Sequence, residues 1–412
     1  MKINRRSSIY FLALGLYLIA KDLEISSAYF TYSWMPQFLL VLRYTSYLMI
    51  IAFSAFMADY SPAVLKRYLV FISFLFLISY IAGSVTILFN FMFIFGAKDI
   101  PTKKMIKYVV AIQAVITCFI FMGSMTGIIE DWTYMIDGRF RHSMGYGYPN
   151  SIPSIYFYTM IAVFYLLKDK IKIWHVVIFE VLNYVLFYFT NTRTAFALTA
   201  IALVVLWALK FWKRPLRPGR INRLLYVHSV FLIALFAILA CYFYTPANPF
   251  LRIINGFISN RLSMGHQALM VNRLTLFGQK IQWYGFGGLG YTITELAGEY
   301  NNVDCSYVKI LLDNGIVMLM LAVGGFMIVA NDELKKGDRY FCIALLFANL
   351  YAMIEPRYIE TGFNPFVWCL SALIVNRVYI GLINKPHLGV KRLMKKRFCQ
   401  PLMSIQTIDK RG

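Results

Sequence analysis

The chain has few charged residues for its length. Only 15% of its 412 residues are Asp, Glu, Lys or Arg, whereas 59% are hydrophobic. Because a soluble domain carries roughly 25% charged residues, this composition excludes an ordinary soluble fold and predicts an integral membrane protein. The chain also lacks internal repeats and low-complexity segments, which predicts a single polytopic domain over residues 1–412.

Cysteine and metal-binding motifs are equally scarce. The six cysteines show neither metal-ligand nor disulfide spacing, and only Cys305 falls clearly in a candidate external loop. The sequence H-E-x-x-H is missing, and D-x-D does not occur in a candidate external loop. We therefore expect no disulfide framework, no metal site and no cofactor.

Acidic residues are less than half as frequent as basic ones. The chain has 41 Lys and Arg against 19 Asp and Glu, a net charge of +22. In a membrane protein, Lys and Arg collect in cytoplasmic loops that face anionic lipid. The charge therefore indicates a lipid bilayer as the partner and gives no reason to expect nucleic acid.

Twelve apolar runs are candidate spans, since a spanning helix needs ~20 apolar residues, or fewer where protein surrounds it. They are residues 7–20, 37–58, 68–81, 82–97, 108–129, 153–167, 173–190, 195–212, 224–244, 308–330, 340–354 and 365–383. The third and fourth read as one run, but both its ends are basic, so we predict a turn at Gly83-Ser84. Both termini are then cytoplasmic. The apolar stretch after Lys2, Arg5 and Arg6 has no cleavage site and reads as a first span.

Seven arginines fall on the external side in this topology. They are Arg139, Arg141, Arg193, Arg252, Arg261, Arg273 and Arg357. Positive charge is normally kept off the translocated face, and the planar fork of Arg matches phosphate oxygens. This placement predicts an external site for a lipid-linked pyrophosphate.

The external segments differ in length and character. They comprise residues 130–152, 191–194, 355–364 and a long loop, 245–307. Within the loop, Arg261 to Ile281 alternates apolar and polar residues at helical spacing, which predicts an amphipathic surface helix.

A basic cytoplasmic tail is expected over residues 384–412. Within the spans, Arg43 is expected to pair with Glu180 or to contact a lipid phosphate.

Polar motifs follow one another in a fixed order through these segments. They are Arg141-His142-Ser143-Met144-Gly145-Tyr146 with Pro149-Asn150, the turn Thr190 to Thr194, Asn260-Arg261-Leu262, Leu276-Phe277-Gly278, Asp304 with Ser306-Tyr307, Asp313 with Gly315, Glu355, and Asn364-Pro365. Over about residues 105–385, this order resembles the Wzy-type repeat-unit polymerases of bacterial capsule, exopolysaccharide and O-antigen assembly, relatives of the O-antigen ligases.

The resemblance implies an all-α glycosyltransferase of the bacterial plasma membrane. Such an enzyme moves a growing glycan from undecaprenyl pyrophosphate onto a new lipid-linked repeat unit, without a metal. Lipid-linked oligosaccharides are then its substrates, and a chain-length regulator and a flippase are candidate partners. An O-antigen ligase-like transferase and a transporter of lipid-linked oligosaccharides stay open as alternatives.

Ten residues are candidates for this chemistry. Arg261, Arg141 and Arg193 would stabilise the departing pyrophosphate, and Glu355 or His142 would accept the proton of the acceptor hydroxyl. The candidates for substrate binding are Arg273, Asp304, Tyr307, Asn150 and Arg357.

Each candidate also has a plain structural alternative. The arginines could form surface salt bridges, and His142 could make an ordinary loop hydrogen bond. Glu355 could pair with Arg357, and Asp304 could cap the helix that follows it. Asp313 is expected to pair with Lys309, four residues earlier.

Overall fold

Helices make up most of the part of the chain that the computed structural model describes, residues 5–136, 138–212, 216–283 and 302–375. The amino-terminal helices are α1 Arg5–Glu24, α2 Ala28–Thr31, α3 Met35–Ala52 with a π-helical end at Phe53–Met57, α4 Pro62–Ala82, α5 Thr86–Gly96 and α6 Thr102–Met125. A two-stranded hairpin follows, with β1 Thr133–Ile136 antiparallel to β2 Arg139–His142.

The remaining helices build the second part of the bundle. They are α7 Ser151–Leu167 with a 3-10 turn at Lys168–Lys170, α8 Ile173–Thr190, α9 Arg193–Ala208, α10 Arg220–Arg223 with a π turn at Leu224–His228, α11 Ser229–Tyr242, α12 Pro249–Phe257, α13 Arg261–Val271, α14 Ser306–Asp313, α15 Gly315–Lys335, α16 Arg339–Tyr351, a 3-10 helix Pro365–Ser371 and α17 Ala372–Val375. Residues 284–301 of the long loop and the tail at 384–412 lie outside the described residues.

Seven of the described helices are long and apolar enough to cross a membrane. They are Met35–Met57, Pro62–Ala82, Thr102–Met125, Ser151–Lys170, Ile173–Thr190, Arg220–Tyr242 and Gly315–Lys335. The other five candidate runs also hold helices, but these are shorter or, in α1, carry charged residues at both ends. The chain is thus a helical protein with membrane-spanning character, and twelve spans with cytoplasmic termini stay a prediction.

The apolar run between residues 68 and 97 turns where the sequence predicts. Helix α4 ends at Ala82, and Gly83 follows in the left-handed conformation, with φ of 67°. Helix α5 then starts at Thr86 and packs back against α4. Gly83 permits this reversal because it has no Cβ to oppose a positive φ. The hairpin is therefore confirmed.

Of the two alternatives for Arg43, the pairing with Glu180 is not formed. Arg43 Nη1 lies 2.6 Å from Oε1 of Glu24, which α1 brings against α3. Glu180 instead accepts from the side chain of Asn183, one turn further along α8. The predicted pair of Lys309 and Asp313 is present at 3.7 Å.

The predicted amphipathic helix from Arg261 to Ile281 is also wrong in its second half. Helix α13 ends at Val271, and Asn272 leaves the helical conformation. The following segment runs instead across the start of α15, where Thr275 and Leu276 accept from the backbone amides of Ile316 and Val317 at 3.0 and 3.2 Å. These carbonyl groups satisfy amides that a helix start leaves open, and this tertiary contact outweighs the helical pattern.

The two ends of α7 lie in different polar clusters. Its carboxyl end meets α16, where Lys168 pairs with Asp338 and Arg339 pairs with Asp169. Its amino end meets the hairpin and α9. Because a helix of 17 residues rises about 25 Å, these clusters are separated by nearly the thickness of a bilayer core.

Candidate functional site

A cavity at the amino end of α7 gathers residues from five of the motifs that are predicted to be external. We call it the arginine cavity. Four of the seven arginines predicted to be external and two carboxylates line it together with several polar groups: Arg139, Arg141, Arg193, Arg261, Asp304, Glu355, Tyr148, Asn150, Ser154, Asn191 and Asn260. Six of the ten candidate site residues thus come together: Arg141, Arg193, Arg261, Glu355, Asp304 and Asn150.

The hairpin carries two of these arginines to the cavity. Tyr134 pairs with Arg141 and Ile136 with Arg139 across the strands, and Gly138 at the turn has φ of 69°. Asp137-Gly138 is a sequence typical of two-residue hairpin turns. Type I′ turns require positive φ at both central residues, which Asp-Gly tolerates well. Residues two apart on a strand share a face, which places Arg139 and Arg141 side by side.

Arg141 is buried and held on two sides. Its Nε donates to the carbonyl oxygen of Thr190 at 2.8 Å, and its Nη2 donates to Oδ1 of Asn150 at 2.6 Å. Thr190 is the last residue of α8, where the helix dipole favours a cation. Burial lowers the pKa of Arg141, the neighbouring Tyr148 opposes that shift, and the guanidinium stays charged.

Arg261 is also buried, so the alternative of a surface salt bridge is not realised for it. Only 9% of it is accessible, and it donates to the carbonyl oxygens of Ile354 at 2.9 Å and Ile258 at 2.8 Å. Its Nε lies 3.4 Å from Oδ2 of Asp304. Asp304 therefore has an ion-pair role. The capping alternative is not realised, because Cys305 holds the N-cap position of α14 and no side chain caps it.

The backbone on both sides of Arg261 is held by Asn255, a role that the sequence did not predict. Asn255 is 5% exposed, and its Oδ1 accepts from the amides of Leu262 and Ser263, both at 3.0 Å. Between them, Ser259 and Asn260 adopt φ of 56° and 65°, a conformation that non-glycine residues rarely take. The contacts of Asn255 stabilise this turn. They thereby fix the direction in which the side chain of Arg261 projects from the start of α13.

Three helix starts converge on the arginine cavity. Asn150, Thr192 and Asn260 are the residues at the N-cap positions of α7, α9 and α13, and all three line the cavity. None of these side chains caps its own helix. Helix starts carry a partial positive charge and favour anions. Arg193, exposed at the start of α9, adds a full charge there.

Glu355 is a buried carboxyl group beside these cations. It is 4% exposed, its Oε2 lies 2.5 Å from Ser154 Oγ, and its Oε1 lies 3.7 Å from Arg357. The alternative pairing with Arg357 is therefore present. Burial raises the pKa of Glu355 to about 7, although Arg357 and the hydrogen bond from Ser154 act in the opposite direction.

The hydrogen bonds around Ser154 suit a carboxyl group that gains and loses a proton. Ser154 Oγ also lies 2.8 Å from the carbonyl oxygen of Asn150. A hydroxyl has one proton and cannot donate to both oxygens at once. When Glu355 is protonated, it can donate to Ser154, which then donates to Asn150. The carbonyl oxygen of Asn150 also accepts from the backbone amide of Ser154 at 3.1 Å, so it keeps a partner in either protonation state.

Four of the ten candidates do not line the arginine cavity. His142 Nδ1 lies 2.6 Å from Asp131, which is the loop hydrogen bond of the structural alternative. Tyr307 is fully buried and its hydroxyl donates to the carbonyl oxygen of Asn349. Arg273 is exposed beyond the end of α13. Arg357 reaches the cavity only through Glu355, and it lies over the ring of Phe363 at 4.3 Å.

Neither similarity to known proteins nor a metal-binding cluster assigns a function to the described part of this chain. The chain matches no protein-family profile, no curated protein and no solved structure. Within the described ranges, no group of three or more His, Cys, Asp or Glu side chains is arranged to hold a metal ion. The geometry of the arginine cavity is therefore the basis for a functional assignment.

Proposed function

We propose that this chain is a repeat-unit polymerase of the Wzy type, acting at the outer leaflet of a bacterial plasma membrane. The observation that carries the proposal is the arginine cavity itself. Among the described lining residues, the guanidinium groups of Arg141, Arg193 and Arg261 and three helix starts face the carboxyl groups of Asp304 and Glu355, the second of which carries a charge only when it has lost its proton. Such an excess favours a ligand with two or more negative charges, and the pyrophosphate diester of a lipid-linked glycan carries two.

The proposed reaction transfers the growing glycan to a hydroxyl group of a new repeat unit. The acceptor oxygen bonds to the anomeric carbon as the bond from that carbon to the pyrophosphate oxygen breaks. Negative charge then develops on the pyrophosphate, where Arg193 and the already positioned Arg141 and Arg261 stabilise it. The acceptor proton passes to Glu355, because burial raises the pKa of that carboxyl group to about 7, near the value that suits a general base.

The location of the cavity favours transfer over transport. It lies at the amino end of α7, whereas transporter sites lie near the middle of the bilayer between related repeats.

Extraction of lipid-linked intermediates from cells lacking this protein tests the proposal. We expect single lipid-linked repeat units on the outer leaflet and no long glycan, as judged by mass spectrometry. The purified protein in lipid nanodiscs should join these extracted units into longer chains. Units trapped on the inner leaflet would indicate a flippase, and long lipid-linked polymer left unattached would indicate a ligase.

A further inference from the structure

A second cavity lies near the arginine cavity. It lies between the turn after α4, the irregular segment after α13, and α14. Its polar lining is mostly amide and carboxylate: Asn90, Gln279, Asn302, Asp313, Glu360 and the indole of Trp283. No arginine is among its described lining residues, in contrast to the arginine cavity.

The two cavities share two backbone segments. Asp304 lines the arginine cavity and Asn302 lines the second one. Glu355 likewise lines the first cavity, and Pro356, the next residue, lines the second. Because consecutive Cα atoms lie about 3.8 Å apart, the two cavities lie close together along both segments.

The charges in the second cavity largely cancel. Lys309 lies 3.7 Å from Asp313, and Lys21 lies 3.5 Å from Glu24. Glu360 forms no ion pair with another described residue and lines the cavity. The lining therefore offers hydrogen-bond donors and acceptors without the excess of positive charge that an anion requires.

Trp283 is fixed in position within this lining. Its Nε1 donates to Oδ1 of Asp313 at 2.8 Å, and Lys309 Nζ lies 4.3 Å from the centre of its ring. An anchored aromatic ring among amides and carboxylates combines a flat apolar surface with groups that bind hydroxyls. Sugar rings present these same two features, an apolar face and a belt of hydroxyl groups.

We propose that the second cavity binds an uncharged oligosaccharide, the sugar chain of the lipid-linked substrate. This inference deepens the proposed function, because it divides recognition between two adjoining cavities. The arginine cavity holds the pyrophosphate, and the second cavity holds neutral sugars through Trp283, Glu360 and the amides. The carboxylate of Glu360 accepts from sugar hydroxyls, and the amides both donate and accept.

The test measures binding of a phosphate-free oligosaccharide. The probe is the repeat-unit oligosaccharide released from the extracted lipid by mild acid and then dephosphorylated. Its binding to the full-length protein in nanodiscs is followed by saturation-transfer NMR and titration calorimetry. We expect Trp283→Leu and Glu360→Gln each to weaken binding about tenfold. The first removes the ring contact with the sugar, and the second removes a charged hydrogen bond to a sugar hydroxyl.

Matched controls separate the two cavities. Trp174→Leu, an exposed tryptophan at the start of α8, and Glu333→Gln, at the other end of the bundle, should leave oligosaccharide binding unchanged. Arg193→Ala should also leave it unchanged, because Arg193 lines only the arginine cavity. If Trp283→Leu fails to fold, the nearly isosteric Glu360→Gln decides the question.

The outcomes distinguish this inference from the proposed function. Absence of oligosaccharide binding by the wild type, or full binding by Glu360→Gln and Trp283→Leu, overturns the sugar site even if the protein polymerises lipid-linked units. Binding that depends on Trp283 and Glu360, in a protein that joins no units, keeps the sugar site and overturns the polymerase.

Discussion

Gly278 and Gly315 approach each other so closely that neither position has room for a side chain. A Cβ atom on Gly315 would lie 2.4 Å from the backbone nitrogen of Gly278, and one on Gly278 would lie 2.2 Å from the carbonyl oxygen of Asp313. Both residues also have positive φ, 89° and 87°. This contact holds the segment after α13 against the start of α15 and thereby forms one wall of the second cavity.

Gly278→Ala and Gly315→Ala should each destabilise the protein. The left-handed φ alone costs about 1–3 kcal/mol, and the backbone clash adds to it. Gly324→Ala is the matched control, because Gly324 lies within α15 with no atom near its Cβ position. Thermal unfolding in nanodiscs should show a lower Tm for the first two variants only. Equal Tm values for all three would contradict the close contact.

Arg193→Ala should reduce transfer by about 10²–10³-fold without lowering Tm. Its side chain is exposed, so its loss removes charge stabilisation of the leaving group and little packing. Arg193→Lys should recover little, because the planar fork is lost. Arg252→Ala, an exposed arginine outside the arginine cavity, serves as the control and should keep its rate. Equal rates of chain growth in the Arg193 and Arg252 variants would remove Arg193 from the mechanism.

The order of polar segments predicted the meeting of Arg141, Arg193 and Arg261, because alternating loops of a bundle end on the same face. The apolar runs predicted the helices, because burial of apolar side chains in lipid or protein is also what stabilises these helices. The hairpin was missed although Asp137-Gly138 signals a turn. Hydropathy did not predict where α13 ends or what Asn255 and His142 contact. These features depend on groups that meet only in the folded chain.

The transfer rate should rise with pH through about 7. Glu355 must be ionised to accept a proton, and its pKa is raised to about 7 by burial, so the active form is lost as pH falls below that value. Glu355→Gln should lower the rate by about 10²–10⁴-fold and abolish this dependence. Initial rates of chain extension between pH 5.5 and 8.5 measure both effects. A wild-type profile that stays flat across this range would exclude Glu355 as the base.

Asn255→Ala should lower both stability and activity. It removes the acceptor for two amides at the start of α13, a loss of about 0.5–2 kcal/mol, and it frees Arg261 to move. Asn255→Asp retains the acceptor and should recover most of the stability. Asn272→Ala, which removes a hydrogen bond at the other end of α13, should spare the transfer rate. Chemical unfolding and rate measurements on the same preparations test these expectations.

The external position of the arginine cavity can be tested by cysteine labelling in intact cells. Gln267→Cys in α13 should react with a membrane-impermeant maleimide, and Gly219→Cys should not, since both positions are exposed but lie on opposite sides in the predicted topology. Gly265 is unsuitable, because a Cβ there would lie 2.5 Å from Cys241 Sγ. The exposed Cys118 is replaced by Ser in both variants. Labelling of Gly219→Cys alone would invert the topology.

The guanidinium groups of Arg141 and Arg261 are each fixed by backbone carbonyl oxygens before any ligand binds. Little ordering entropy is then lost when an anion arrives, which strengthens anion binding. If the chain catalyses the proposed transfer, the released lipid pyrophosphate should also bind tightly and act as a product inhibitor. Its dissociation, rather than bond breaking, would then limit the rate of polymer growth.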